Sequence, residues 1–250
     1  MRPDPKQIHT ETSALFLDVD GTLVDIQDRP EDVHADAELI SLLQELLSLF
    51  DGAMALISGR SISDIDRIFG GVVFPAVGAH GAELRHSRTT AQAEPPEPLP
   101  DQVLERLQVF AEQHNGIQLE HKQGGVSLHY RRAPELLPQC RLLIGELMSQ
   151  LETKFRLIEG KMVFEIAPRQ HNKGEAIRQL LRTDNFKNRE PVFVGDDVTD
   201  EDGFVVVNAL DGQSIRVGHD APTKARYVLD DAADVRRWLK SIVAANRNSS

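Results

Sequence analysis

Two aspartates two positions apart, Asp18 and Asp20, close the apolar run 14–17 and lead into Gly21 and Thr22. Alternate side chains of a strand share a face, so both carboxylates project together where the strand opens into a turn. Like charges this close need a cation such as Mg²⁺ or a shared proton, and either arrangement suits chemistry on an anionic substrate. For the Asp-x-Asp-Gly segment alone, an acidic turn with Gly21 at positive φ is the plainer alternative.

A second acidic cluster, 195–202, sets five carboxylates within seven positions directly after the apolar segment 192–194. Asp200, Glu201 and Asp202 have an ordinary explanation as acids at a helix start, with Thr199 as an acceptable cap. Asp196 and Asp197 sit earlier, in the turn itself. If the sheet brings them beside Asp18, a divalent cation offsets the repulsion. A calcium loop of the EF-hand kind does not fit, because Gly21 is the fourth position from Asp18 where the sixth is needed, and the twelfth is Arg29.

Lys173 opens a helix, since Asn172 and Glu175 have the spacing of a capping box. A cation in a first helical turn opposes the macrodipole, so an anion is expected to meet it. Ser58 and Arg60 end another apolar segment, where a hydroxyl and a backbone amide suit a phosphoryl oxygen, with a plain Ser-Gly turn as the alternative. A carboxylate nucleophile, an adjacent acid, a metal site, a hydroxyl and a fixed cation together make phosphoryl-transfer machinery.

Strands alternating with helices must carry these groups. Strands are predicted at 14–18, 53–57, 191–194 and 214–217, and helices at 36–50, 62–69, 173–183, from 200, and 231–245. Strands separated by helices imply a parallel sheet with helices on both faces, and ligands bind such sheets at the strands' carboxyl ends. Between about residues 86 and 171 the rhythm changes to helix, hairpin, helix, hairpin, with Gln118, Glu120 and Lys122 on one face of a strand and Ser127, His129 and Arg131 on one face of its partner. Glu165 shares a face with Val163 and Ala167, an odd place for an unpartnered carboxylate. Four prolines between 95 and 100 mark a connector over 89–100. The organisation expected is an α/β core over 1–87 and 171–250, interrupted by an inserted α+β cap over 88–170.

The 250 residues carry a formal charge of −11, which excludes a nucleic-acid backbone or an anionic membrane as partner. The single Cys140 has no disulfide partner within the chain and reads as a small core residue. No secretion signal or membrane span is evident, so a cytoplasmic protein is expected, and a monomer.

In their order and spacing, Asp18-Val19-Asp20-Gly21-Thr22, Ser58, Lys173 and Gly195-Asp196-Asp197 with Asp200 resemble the four motifs of haloacid dehalogenase superfamily phosphatases. Residues 57–60, 78–81, 120–122, 129–131, 161–168 and 195–201 are similar to the bacterial trehalose-6-phosphate phosphatase family, a likeness running from about residue 14 to 239. The resemblance implies a Rossmann-like core with a cap and a Mg²⁺-dependent hydrolysis of a sugar monoester. It makes Asp18 the nucleophile forming an aspartyl-phosphate and Asp20 the acid and then base. Mg²⁺ would be held by Asp18, the Asp20 carbonyl and Asp196, with Asp197 and Asp200 close behind. Ser58 and Lys173 would hold the phosphoryl group, and Arg60, Glu120, Lys122, His129, Arg131 and Glu165 the substrate. His129 fits equally well as a satisfied residue of the cap sheet, and His80 also matches a family position. A phosphatase for sucrose phosphate or another phosphosugar is the alternative within enzymes. A receiver-type signalling domain, which also uses an acceptor aspartate, a cation and a lysine, is the alternative outside them.

Overall fold

In the computed structural model, residues 3–27, 29–85, 91–92, 98–122, 124–151, 153–160, 162–219 and 222–247 are described. The chain divides into two units, Met1–Ala93 with Asn172–Ser250, and Glu94–His171. The first begins with β1 (Ser13–Leu17), α1 (Ala37–Leu49), β2 (Met54–Ile57), α2 (Ile62–Ile68), β3 (Ala76–Gly78), β4 (Glu83–Arg85) and β5 (Ala91–Gln92). The second holds α3 (Asp101–Gln113), β6 (Gln118–Lys122), β7 (Gly125–His129), α4 (Leu137–Gln150), β8 (Phe155–Gly160) and β9 (Val163–Pro168). The first unit then resumes with α5 (Lys173–Leu180), β10 (Glu190–Gly195), α6 (Glu201–Ala209), β11 (Gln213–Val217), β12 (Tyr227–Leu229) and α7 (Ala232–Arg247).

Eight strands in the order β12-β11-β10-β1-β2-β3-β4-β5 form the first unit's sheet. Pairing is parallel from β12 to β3 and antiparallel at β4 and β5, so the expected parallel sheet carries an antiparallel edge. Every residue of β1 and β2 is buried, which explains their continuous apolar runs. Leu17 registers with Val194 on one side and Leu56 on the other. Asp18, Ser58 and Asp196, which follow those strands, therefore reach the same edge. Local signals hold the helices: Asp36, Ser61 and Asn172 each accept the backbone N–H three residues on. Phe16 stacks on Phe186 at 5.5 Å within one continuous core, where each buried large apolar side chain contributes about 1.5–3 kcal/mol.

The second unit has the sheet order β6-β7-β9-β8, antiparallel throughout. Val126, Leu128, Phe164 and Ile166 on one face pack with Val103 and Leu107 of α3 and with Cys140, Ile144 and Leu147 of α4. Strand alternation puts Glu120, Lys122, Ser127, His129 and Glu165 on the other face. The second of the two helices expected in this region begins as a 3₁₀ turn at Pro134–Leu136 and becomes α-helical at Leu137, with Pro138 in the first turn where its missing N–H costs nothing. Of the connector at 89–100, only residues 91–92 and 98–100 are described, and Lys161 lies outside the described residues. Among the described residues, no helix is long and apolar enough to cross a membrane.

Candidate active site

At the carboxyl edge of the large sheet, a buried lysine bridges two buried carboxylates. Lys173 Nζ donates to Asp18 Oδ1 at 2.7 Å and to Asp200 Oδ1 at 2.6 Å, and none of the three side chains is more than 6% exposed. Burial works against the ammonium, but the charges of Asp18 and Asp200 and their hydrogen bonds outweigh it and raise its pKa. The unfavourable first-turn position of Lys173 is thus compensated by two anions.

Asp18, Asp196 and Asp200 each bring a carboxylate oxygen into a group spanning at most 4.8 Å. Burial, with Lys173 opposing it and Asp200 and Asp196 adding to it, raises the Asp18 pKa well above the usual carboxylate range. Burial and then the Asp200 charge push Asp196 up to about 6. One ammonium among three carboxylates leaves a deficit of positive charge, and the donors are all hard oxygens, so the group fits a divalent cation. Asp200 is already engaged on both sides, by Lys173 and by the backbone N–H of Asp197 at 2.8 Å. Asp18 and Asp196 are the less committed donors.

Three small residues make this crowding feasible. Thr22 Oγ1 lies 3.1 Å from Asp196 Oδ1 and 3.4 Å from Asp18 Oδ2, between the two acidic loops. Gly21 has φ +76°, and a Cβ there would fall 2.2 Å from Asp196 Oδ2. A Cβ on Gly195 would fall 2.3 Å from Asp200 Cγ, so the glycine heading the acidic cluster makes room for the cluster's own buried member. The roles of Thr22 and Gly195 were not assigned from sequence; the signal for both is their fixed place in Asp-x-Asp-Gly-Thr and Gly-Asp-Asp-x-x-Asp.

Asp20 differs from the sequence expectation of an acid ready to donate. Its oxygens accept from Arg60 Nε at 2.6 Å and Nη2 at 2.7 Å, a fork geometry that fills the positions a donated proton would need. Arg60 also donates to the Pro30 carbonyl at 3.0 Å, and its backbone N–H to the buried Ser58 Oγ at 3.1 Å. Neither the Asp20 nor the Asp197 side chain joins the group of three carboxylates; Asp197 is exposed. Arg216 fastens the acidic turn by donating to the Asp197 carbonyl at 3.2 Å.

On the polar face of the second sheet, Lys122 Nζ meets Glu165 Oε2 at 2.7 Å and Ser127 Oγ lies 3.3 Å from the same oxygen. His129 Nε2 is 2.9 Å from Glu120 Oε2, and this contact, against partial burial and with help from Lys122, lowers the Glu120 pKa. The odd carboxylate of Glu165 has a partner after all, on the far hairpin, because β7 pairs with β9. Arg131 is exposed in the turn after β7 instead of continuing the strand.

A parallel sheet whose central strand ends in paired aspartates, beside a helix-opening lysine and an acidic turn, defines a phosphoric monoester hydrolase of the haloacid dehalogenase type. The chain belongs to the trehalose-phosphatase family, whose model matches residues 16–233. It is 39% identical over 233 residues to the trehalose-6-phosphate phosphatase of Escherichia coli (strain K12), covering 93% of this chain and 87% of that one. A probable trehalose-phosphate phosphatase of Sinorhizobium fredii is 35% identical over 236 residues, covering 93% and 86%. A crystal structure of a trehalose-6-phosphate phosphatase related protein superposes with a TM-score of 0.73 at 28% identity, covering 95% of this chain and all of that one.

Proposed function

We propose that this protein hydrolyses trehalose 6-phosphate to trehalose and phosphate in the cytoplasm, as a monomer, through an aspartyl-phosphate on Asp18. The observation that carries the reading is the contact of Asp18 with Lys173, beside Asp196, in a chain matched by the trehalose-phosphatase family over most of its length. Mg²⁺ is the cation we assign to the carboxylate group, where it supplies positive charge that keeps Asp18 ionised and offsets the equatorial phosphoryl oxygens.

Asp18 attacks phosphorus in line with the departing sugar oxygen, and Lys173 holds its carboxylate in place. Ser58 and Lys173 present a hydroxyl and an ammonium to the phosphoryl oxygens. Asp20 gives a proton to the sugar oxygen and later takes one from the water that cleaves the acyl-phosphate. That role requires the Arg60 fork to part from Asp20, which releases the guanidinium to the substrate. Glu120, Lys122, His129, Arg131 and Glu165 recognise the disaccharide's hydroxyls through charge-assisted hydrogen bonds.

Phosphate release measured on trehalose 6-phosphate, sucrose phosphate and glucose 6-phosphate, each with and without a chelator, tests this reading. The first substrate should lead by at least an order of magnitude, and chelation should stop all turnover. Preference for sucrose phosphate would reassign the substrate, and turnover indifferent to chelator would remove the metal.

A further inference from the structure

A second cationic site lies at the opposite end of the sheet. Arg178 in the last turn of α5, Arg182 just beyond it, and Arg189 before β10 line a groove of about 320 Å³, along with Asn188, Pro191 and the apolar Leu181 and Leu210. Arg189 is anchored by donating to the carbonyls of Thr10 at 2.9 Å and Ser13 at 3.2 Å, and its second nitrogen stands 3.8 Å from Asp51. Among the described residues, the guanidinium groups of Arg178 and Arg182 have no hydrogen-bond or ion-pair partner. In this acidic chain, with 39 acidic against 28 basic residues, guanidinium groups such as Arg60, Arg85, Arg141 and Arg247 are paired with carboxylates.

The helix macrodipole accounts for a cation in the last turn of α5 but not for a concavity shared with a third arginine from another segment. Guanidinium groups that line one groove repel one another, so their convergence is unfavourable until an anion joins them. Planar guanidinium forks match phosphate oxygens two at a time, and the volume is within the range of small-molecule sites. Pro191 is the second residue of β10, the strand that Asp196 follows; five residues at about 3.3 Å each put the groove roughly 16 Å from the catalytic edge. One ligand therefore cannot occupy both places.

We propose that Arg178, Arg182 and Arg189 form a binding site for a small phosphorylated anion carrying at least two negative charges, separate from the catalytic centre. Free pyrophosphate and the diphosphate of a nucleotide offer the same chemistry, so both serve as probes.

Calorimetric titration with pyrophosphate in the presence of a chelator tests the site, since the metal-free catalytic carboxylates then repel the ligand. Wild type and Asp18→Asn should each bind one pyrophosphate, with affinity that falls as salt is raised. The double variant Arg178→Gln, Arg182→Gln alters only exposed side chains and should bind at least tenfold more weakly while keeping its turnover in the absence of added anion. ADP competing with pyrophosphate would assign the nucleotide source, and pyrophosphate binding alone the free ion. Equal affinity in the double variant, loss of binding in Asp18→Asn, or no binding by wild type overturns the proposal.

Discussion

The two polar regions of this molecule are built by opposite means. At the edge of the large sheet, Asp18, Lys173 and Asp200 are almost wholly buried, and backbone geometry at Gly21 and Gly195 sets how closely they approach. On the second sheet, the pairs Lys122–Glu165 and Glu120–His129 join side chains projecting from neighbouring strands, with no backbone constraint beyond strand register. Buried charges that lose a partner are costly, whereas partly solvated pairs are worth little. A centre of the first kind tolerates almost no change and keeps one reaction. A face of the second kind can be rewritten residue by residue, which suits the choice of leaving group.

The sharpest way to break this contrast is Asp18→Asn. Turnover should fall on the order of 10⁴-fold or more, with the far-ultraviolet spectrum retained, because an amide cannot replace the carboxylate as nucleophile. Phosphate release close to wild type from the folded variant would end the proposed mechanism.

Paired lysine substitutions sharpen the energetic side. Lys173→Met leaves buried carboxylates facing one another and should cost about 3–5 kcal/mol in urea unfolding of the metal-free protein. Lys122→Met should cost under about 1 kcal/mol. Similar losses for both would erase the distinction between the regions.

Glu120→Ala probes recognition in isolation. Losing one charged hydrogen bond should take about 1.5–3 kcal/mol, roughly 10- to 100-fold, from kcat/KM for trehalose 6-phosphate while sparing a small aryl phosphate. Equal loss on both substrates would indicate damage to the fold.

The smallest effect expected is on pH dependence. Asp196 titrates near 6 in the metal-free folded protein against an ordinary value of 3.8, so between those values the folded state binds the extra proton. Stability relative to Asp196→Asn should therefore rise by a few degrees of Tm as pH falls from 7 to 5, and saturating Mg²⁺ should abolish the rise. A difference flat with pH would remove burial as the cause.

Much of the core was legible because local signals agreed. The apolar runs before Asp18 and Asp196, the Asn172 cap, and the misplaced charge of Lys173 each pointed to one element or contact. Strands β3, β4, β5 and β12 were missed, since two or three residues cannot display a period. The Arg60 fork on Asp20 joins residues from separate loops, and nothing in either segment announces it. The partner of Glu165 was equally hidden, because two hairpins read separately do not tell which strands meet between them.

The pairing of Ser13 with Glu190 has a consequence for how the chain reaches this form. One neighbour of β1 is available early, as Leu15 registers with Met54, but the other emerges from the ribosome only after the whole of Glu94–His171. The intervening unit pairs its strands locally, so it is suited to mature first, while the nascent β1 waits with one flank bare. Acquisition of the large sheet is therefore a late, long-range event, and the half-made chain is where this protein is most exposed to aggregation.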